Sequence, residues 1–398
     1  MKKIFLLVFV FGFITMLHSQ DLKTPFGSGI LKVGEEKVVN ILCYHRFVIR
    51  KDKGKKDIYA IAPKLFEAQM QWLKDNNYTV INMAKFLDWI NGKSKMPDKA
   101  VMITIDDGYE SIYSKMLPIM KKFGYTGVVY LYKNFCPGGK SALSREETRL
   151  LVAEGWEFGC HSNTHPILTS KIKNFKIINK GQTRPKGNAI MKDMEYLEWL
   201  RSEIIGPKAY LEDYTGTTIN TFAYPYGTYS KIVEHVIKEA GYEAAFSVVP
   251  SFDTEEVNRY FFKRTMVYGT GSMENFAEIF TSKPIKVTGL YPNDGDVIND
   301  RTPELKAEIL DDSLLNTATI HFQMGSVDLE KSIYNPITKM LTYYYENKLA
   351  KGTHVGKVCA EGKTGGKYEY AWLFVIGKPT KMNLLEGETN NIFEEGKE

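Results

Sequence analysis

Cysteine is scarce in this chain. There are four in 398 residues, at Cys43, Cys136, Cys160 and Cys359, without the paired spacing of a zinc knuckle or a disulfide framework. An exported protein is permitted disulfides, but this pattern does not demand them. Strand alternation puts Cys43 on the face of His45 and Cys160 opposite His161, so a Cys43–Cys160 bridge is not expected. A strong charge of one sign is also missing. The formal net charge of +5 falls to +3 once Lys2 and Lys3 are removed with residues 1–19, too mild a balance to point to nucleic acid. Beyond the N-terminus no apolar run is long enough to cross a bilayer.

The N-terminus itself is distinctive. "MKKIFLLVFVFGFITMLHSQ" places two lysines before an apolar stretch from Ile4 to Leu17 and a small-residue exit. This pattern predicts a cleaved signal peptide over 1–19 and a secreted, periplasmic or cell-surface protein, with an uncleaved anchor as the alternative. No cysteine follows the apolar stretch, which argues against a lipoprotein anchor. The remaining composition, 43% hydrophobic and 25% charged, is that of an ordinary globular protein of two or three domains. It leaves the oligomeric state open.

The chain changes style near residue 285. Before it, strand-like runs such as "KVVNILCYHRF", "AVMITIDDG", "TGVVYLY" and "WEFGCHSNTH" alternate with amphipathic stretches such as "APKLFEAQMQWLKDNN" and "YSKIVEHVIKEAG". Repeated β–α units predict an α/β domain over 20–283, a mostly parallel sheet that is open or closed into a barrel. Its sites are expected at the carboxyl ends of the strands. Over 284–380, short alternating strands with Asp-, Asn- and Gly-rich turns predict an immunoglobulin-like β-sandwich. Residues 381–398 read as a tail. The basic stretch 171–187 lacks a clean period. It reads as a surface insertion beside the site, either a solvated loop or a subsite for an anionic or extended polymer.

Three stretches carry chemistry. "DDG" at 106–108 ends a buried strand in two adjacent carboxylates, an expensive arrangement without positive charge nearby. "HSNTH" places His161 and His165 four apart, able to converge on one metal. Alone each is weak, since Asp-Asp-Gly is also a plain turn signature. Together an aspartate and two histidines make a metal set with open positions, and a second carboxylate can take a proton from water. Strand alternation predicts that Asp106 and Asp107 point in different directions.

At this point the sequence resembles the polysaccharide deacetylases, or carbohydrate esterase family 4, the NodB-homology domain. The likeness spans about residues 35–270. "TIDDGYES" is similar to the first motif of the family, with Ile105 where Phe is usual. "HSNTHP" matches the second motif without departure, and "FAYPYG" resembles the third. The resemblance implies a distorted (β/α) barrel. It also implies Asp106 as general base and a divalent metal on Asp107, His161 and His165. Zinc is the default, with cobalt, nickel or manganese as alternatives. The Tyr226 N–H would help hold the oxyanion. The arginine that usually precedes the proline of the third motif is absent, and Arg264 is the candidate to brace Asp106. No histidine near the domain's C-terminal end suits the general acid: His235 falls in an amphipathic helix, and His321 and His354 in the sandwich. "LCYHRF" instead resembles the permuted branch that includes poly-N-acetylglucosamine deacetylases, with His45 as the acid. Tyr109, Tyr132, Tyr224, Pro225 and Tyr226 are candidates to contact a sugar, or to pack in the core. The expected activity is hydrolysis of N-acetyl groups on an amino-sugar polysaccharide. An O-acetyl esterase on xylan or a similar polymer, and a non-catalytic carbohydrate-binding protein, are the alternatives.

Overall fold

A computed structural model describes residues 30–32, 39–48, 57–250 and 256–380. The expected signal peptide and the C-terminal tail lie outside the described residues. The main sheet is built, in chain order, from β1 (Val39–Tyr44), β2 (Thr79–Ile81), β3 (Ala100–Asp107), β4 (Val128–Leu131), β5 (Glu157–Cys160), β6 (Thr221–Ala223), β7 (Ala244–Phe246) and β8 (Thr265–Met266). Every pairing in it is parallel, in the order β7-β6-β5-β4-β3-β1-β8, with β2 also on β3. All eight residues of β3 are buried, as a near-continuous apolar run at the centre of a parallel sheet should be.

The helices between the strands follow their sequence signals. Pro63 begins the helix Pro63–Asp75, which buries Phe66, Met70 and Leu73. Ser144 and Glu147 form a reciprocal capping box at the start of Arg145–Ala153. Two departures matter. The strand expected through "WEFGCHSNTH" stops at Cys160, leaving "HSNTH" as a loop. The basic insertion is ordered as an antiparallel hairpin, Phe175–Ile177 with Thr183–Pro185.

The ring is closed by one segment. Arg259 and Phe262 exchange backbone hydrogen bonds with Ala245 and Ser247 at one edge of the sheet. A few residues later β8 pairs with Leu42 and Cys43 at the other edge. The result is a distorted barrel, and Arg264 is carried across its interior.

From Lys283 onward the chain forms a β-sandwich. A six-stranded sheet and a four-stranded sheet enclose a core that includes Phe322, Leu341, Trp372 and Phe374. The long strand Lys367–Ile376 is buried on both faces. Trp372, Phe374 and Ile376 fill the sandwich core, while Ala371 and Leu373 join the cluster that fills the barrel domain. An antiparallel sheet normally keeps one face for water, so this strand docks the sandwich onto the barrel. The four cysteines are free and buried.

Candidate active site

The two aspartates at the end of β3 are both buried but have different surroundings. Arg264 grips Asp106 with two parallel hydrogen bonds, Nη1 to Oδ1 at 2.7 Å and Nη2 to Oδ2 at 2.7 Å. Its Nε donates to the Ser247 carbonyl at 2.9 Å. Burial alone would raise the Asp106 pKa, but Arg264, helped by His161, holds the carboxyl well below the usual range. The Cys43 thiol adds a bond of 3.3 Å to Asp106 Oδ2, and burial keeps it a thiol. Asp107 lacks such a partner. Its Oδ1 is buried without a hydrogen bond, and burial pushes its carboxyl up.

The carboxylates do not diverge as alternation predicts. Asp106 Oδ2 and Asp107 Oδ1 each lie 3.9 Å from His161 Nε2. The reason is local backbone: Asp107 has φ of 77°, outside the strand conformation, so its side chain returns to the side of Asp106. Gly108 follows with φ of 84°, and a Cβ there would lie 2.3 Å from Leu131 Cδ2. Ser162, His165 and Tyr226 also have positive φ. Such conformations cost about 1–3 kcal/mol each and cluster where side chains must be aimed.

The histidines are locked by their second nitrogens. His161 Nδ1 bonds the Ala223 carbonyl at 2.7 Å, leaving Nε2 facing inward. His165 Nδ1 meets the Tyr226 hydroxyl at 3.0 Å, and its Nε2 lies 3.3 Å from Asp107 Oδ1. Burial lowers His161 to about 4 and His165 to about 3, so both rings are neutral near pH 7 with lone pairs available. Asp107, His161 and His165 thus offer three donor atoms within 4.8 Å of one another. A shared ion at ~2.0–2.2 Å from each ligand needs donors on the order of 3–3.5 Å apart. The buried unpartnered oxygen between two neutral imidazoles fits a divalent cation in chemistry; its 3.3 Å to His165 Nε2 matches that spacing, and its 3.9 Å to His161 Nε2 is wider.

His45 follows β1 and is half-buried. Its ring lies 4.9 Å from that of Tyr59, its Nδ1 is buried without a partner, and it groups with Cys43 and Asp106. Tyr226 is 36% exposed, and its N–H, at the start of a short turn, has no acceptor among the described residues. Three of the sugar-contact candidates belong to the core instead. Tyr224 is fully buried and donates to the Tyr260 carbonyl at 2.6 Å, Pro225 is buried, and Tyr132 is buried with its hydroxyl on the Lys180 carbonyl. Their side chains are taken up in packing and leave Tyr109 and Tyr226 at the rim. His235 lies on the helix Lys231–Glu239, and His321 and His354 on sandwich strands.

Two contributors have no signature in the motifs. Glu203 is buried and accepts from the Thr164 N–H and hydroxyl, each at 2.8 Å, pinning the "HSNTH" loop. Its signal was an acid on the apolar stripe Tyr196, Leu200, Glu203 of the helix Asp193–Ile204. Cys43 was legible only as a small buried residue.

Residues 93–245 match the polysaccharide deacetylase family profile. The chain carries a polysaccharide deacetylase domain. The match includes Asp106, Asp107, His161, His165 and Tyr226, and places the chain among the hydrolases. It stops short of His45 and Arg264 on either side. A poly-β-1,6-N-acetyl-D-glucosamine N-deacetylase of Staphylococcus aureus is 28% identical over 217 residues, covering 52% of this chain and 68% of that protein. Among solved structures, the Streptococcus pyogenes deacetylase PplD covers 62% of this chain and 99% of its own, with a TM-score of 0.51 at 18% identity. A de-N-acetylase from Aggregatibacter actinomycetemcomitans covers 60% and 100%, with a TM-score of 0.50 at 20% identity. At these identities the structural likeness is one of fold.

Proposed function

We propose that this protein is a metal-dependent deacetylase that hydrolyses N-acetyl groups of an amino-sugar polysaccharide and releases acetate. The reading rests on one observation above the others: adjacent carboxylates in opposite environments, Asp106 in the fork of Arg264 and Asp107 with its Oδ1 unpartnered between two neutral histidines. Asp107, His161 and His165 hold the ion, for which zinc is the default and cobalt, nickel or manganese the alternatives. When bound, such an ion makes water acidic and polarises a carbonyl.

Asp106 is the general base and accepts a proton from the attacking water. Arg264 keeps that carboxylate ionised and fixes its direction. The Tyr226 N–H donates to the oxygen that becomes negative as water adds to the acetamide carbon. His45 gives a proton to the departing sugar nitrogen, completing cleavage of the C–N bond. An amine leaves poorly without that proton, so His45 matters most on amides. The Staphylococcus aureus relative supports an N-acetylglucosamine polymer as substrate, and the N-terminal pattern supports export. The sandwich from residue 284 serves as an immunoglobulin-like accessory module.

The test is acetate release from N-acetylated glycans and from acetylated xylan, with metal content measured on the same sample. Acetate from N-acetyl glycans in proportion to bound metal supports the reading. Release from xylan alone would make it an O-acetyl esterase, and binding without release a lectin-like protein.

A further inference from the structure

The hairpin Phe175–Pro185 brings positive charge to the rim of the site. Lys180, at its turn, rests its Nζ 3.8 Å from the centre of the Tyr109 ring and 5.6 Å from that of Phe135. Arg184, on the returning strand, lies 4.4 Å over the Tyr226 ring, and that tyrosine's hydroxyl holds His165. The Lys180 charge acts on Asp107 and the Arg184 charge on His165. Neither cation has a carboxylate partner among the described residues, whereas Arg46, also at this rim, is paired with Asp57.

The hairpin is built rather than loose. The Tyr132 hydroxyl holds the Lys180 carbonyl at 3.0 Å, and the Thr183 N–H bonds the Thr164 carbonyl at 2.9 Å beside the metal-candidate loop. Lys180 has φ of 63°, a conformation rare for lysine. A Cβ on the next residue, Gly181, would lie 2.8 Å from the Asn134 carbonyl oxygen. These constraints hold the two cations on aromatic faces, Lys180 near Asp107 and Arg184 near His165. Within the site Asp106 and Asp107 are outnumbered by Arg264, Lys180 and Arg184, before any metal is counted. Lys180 and Arg184 are half-buried, and an excess of partly desolvated cations favours an anion.

We propose that Lys180 and Arg184 form an anion subsite, selecting a glycan whose N-acetylated amino sugars neighbour a carboxylate. The proposal rests on the deacetylase reading above and names its substrate class. The Arg184 guanidinium can take a carboxylate by two points, and Lys180 adds a point charge. The rings of Tyr109 and Tyr226 lie against these two cations and offer apolar faces beside them.

The experiment compares length-matched oligosaccharides: neutral β-1,6-linked N-acetylglucosamine, uronic acid alternating with N-acetylhexosamine, and peptide-free strands bearing the lactyl carboxylate of muramic acid. The two acidic arms separate the sources of the carboxylate. Acetate release and direct binding are both measured, for the wild type, Lys180→Gln, Arg184→Gln and the charge-preserving Arg184→Lys. At least one acidic glycan is expected to bind about tenfold more tightly than the neutral one, a difference that shrinks with salt. Each Gln variant should raise KM or Kd for it several-fold more than for the neutral glycan, with Arg184→Lys intermediate. Equal handling of neutral and acidic glycans, or equal losses on both, overturns the subsite. Selective binding without acetate release from any glycan keeps the subsite and overturns the deacetylase reading instead.

Discussion

Arg264 and Asp106 stand 158 residues apart in the chain and meet in a buried two-point fork. The arginine is fully buried, and Asp106 nearly so. A pair of this kind is costly to break from one side, because the remaining charge is stranded. Arg264→Met should therefore destabilise the protein by about 3–5 kcal/mol, read from denaturant unfolding. Arg264→Lys keeps the charge but loses the fork. It should be milder in stability while still lowering turnover. An Arg264→Met protein as stable as the wild type would contradict the fork's structural role.

Asp106→Asn separates the base from the metal. We expect turnover to fall on the order of 10²–10⁴-fold with metal content retained. Asp107→Ala should lose both together. Metal analysis beside acetate release distinguishes the two variants, and similar metal loss in both would contradict the separate roles.

Glu203 reaches the metal candidates only through the loop it pins. Glu203→Ala should weaken metal affinity about 10–100-fold, measured by competition with a chelator. Full metal affinity in that variant would reduce Glu203 to a packing residue.

His45→Ala should reduce hydrolysis of N-acetyl glycans far more than that of activated aryl acetates, whose leaving groups need no proton. Parallel losses on both would remove His45 from the acid role.

Burial, followed by the nearby Arg46 charge, lowers Lys180 to about 8, against the opposing pull of Asp107; the rings of Tyr109 and Phe135 face the same ammonium. A lysine with a lowered pKa loses its charge earlier as pH rises. Preference for acidic over neutral glycans should thus decline between about pH 7 and 9 and persist in Lys180→Arg. A preference flat across that range would assign the selectivity elsewhere.

Much of this was legible in the chain itself. The β–α alternation, the break in style near residue 285 and the three motifs follow from local pattern, because strand and helix periods and turn residues are local properties. Residue types and spacing pointed to an aspartate and two histidines as candidate metal donors, and the resemblance to the deacetylase motifs singled out Asp107 as that aspartate. Alternation failed at Asp107, where one positive φ redirected the carboxylate that the ideal strand would have turned away. The hairpin at 175–185 escaped because its short polar strands bury little and carry no clear period.

The sequence alone determined which side chains can bind a metal, move a proton and cap a helix, and the order in which strands and helices alternate. Only the tertiary structure decided which of them meet. Closure of the barrel by the segment from Arg259 to Met266 puts Arg264 on Asp106, and the pairing of β1 with β3 brings His45 to Asp106. Those contacts join residues far apart in the chain, and the burial that makes a charge costly exists only once the ring is shut.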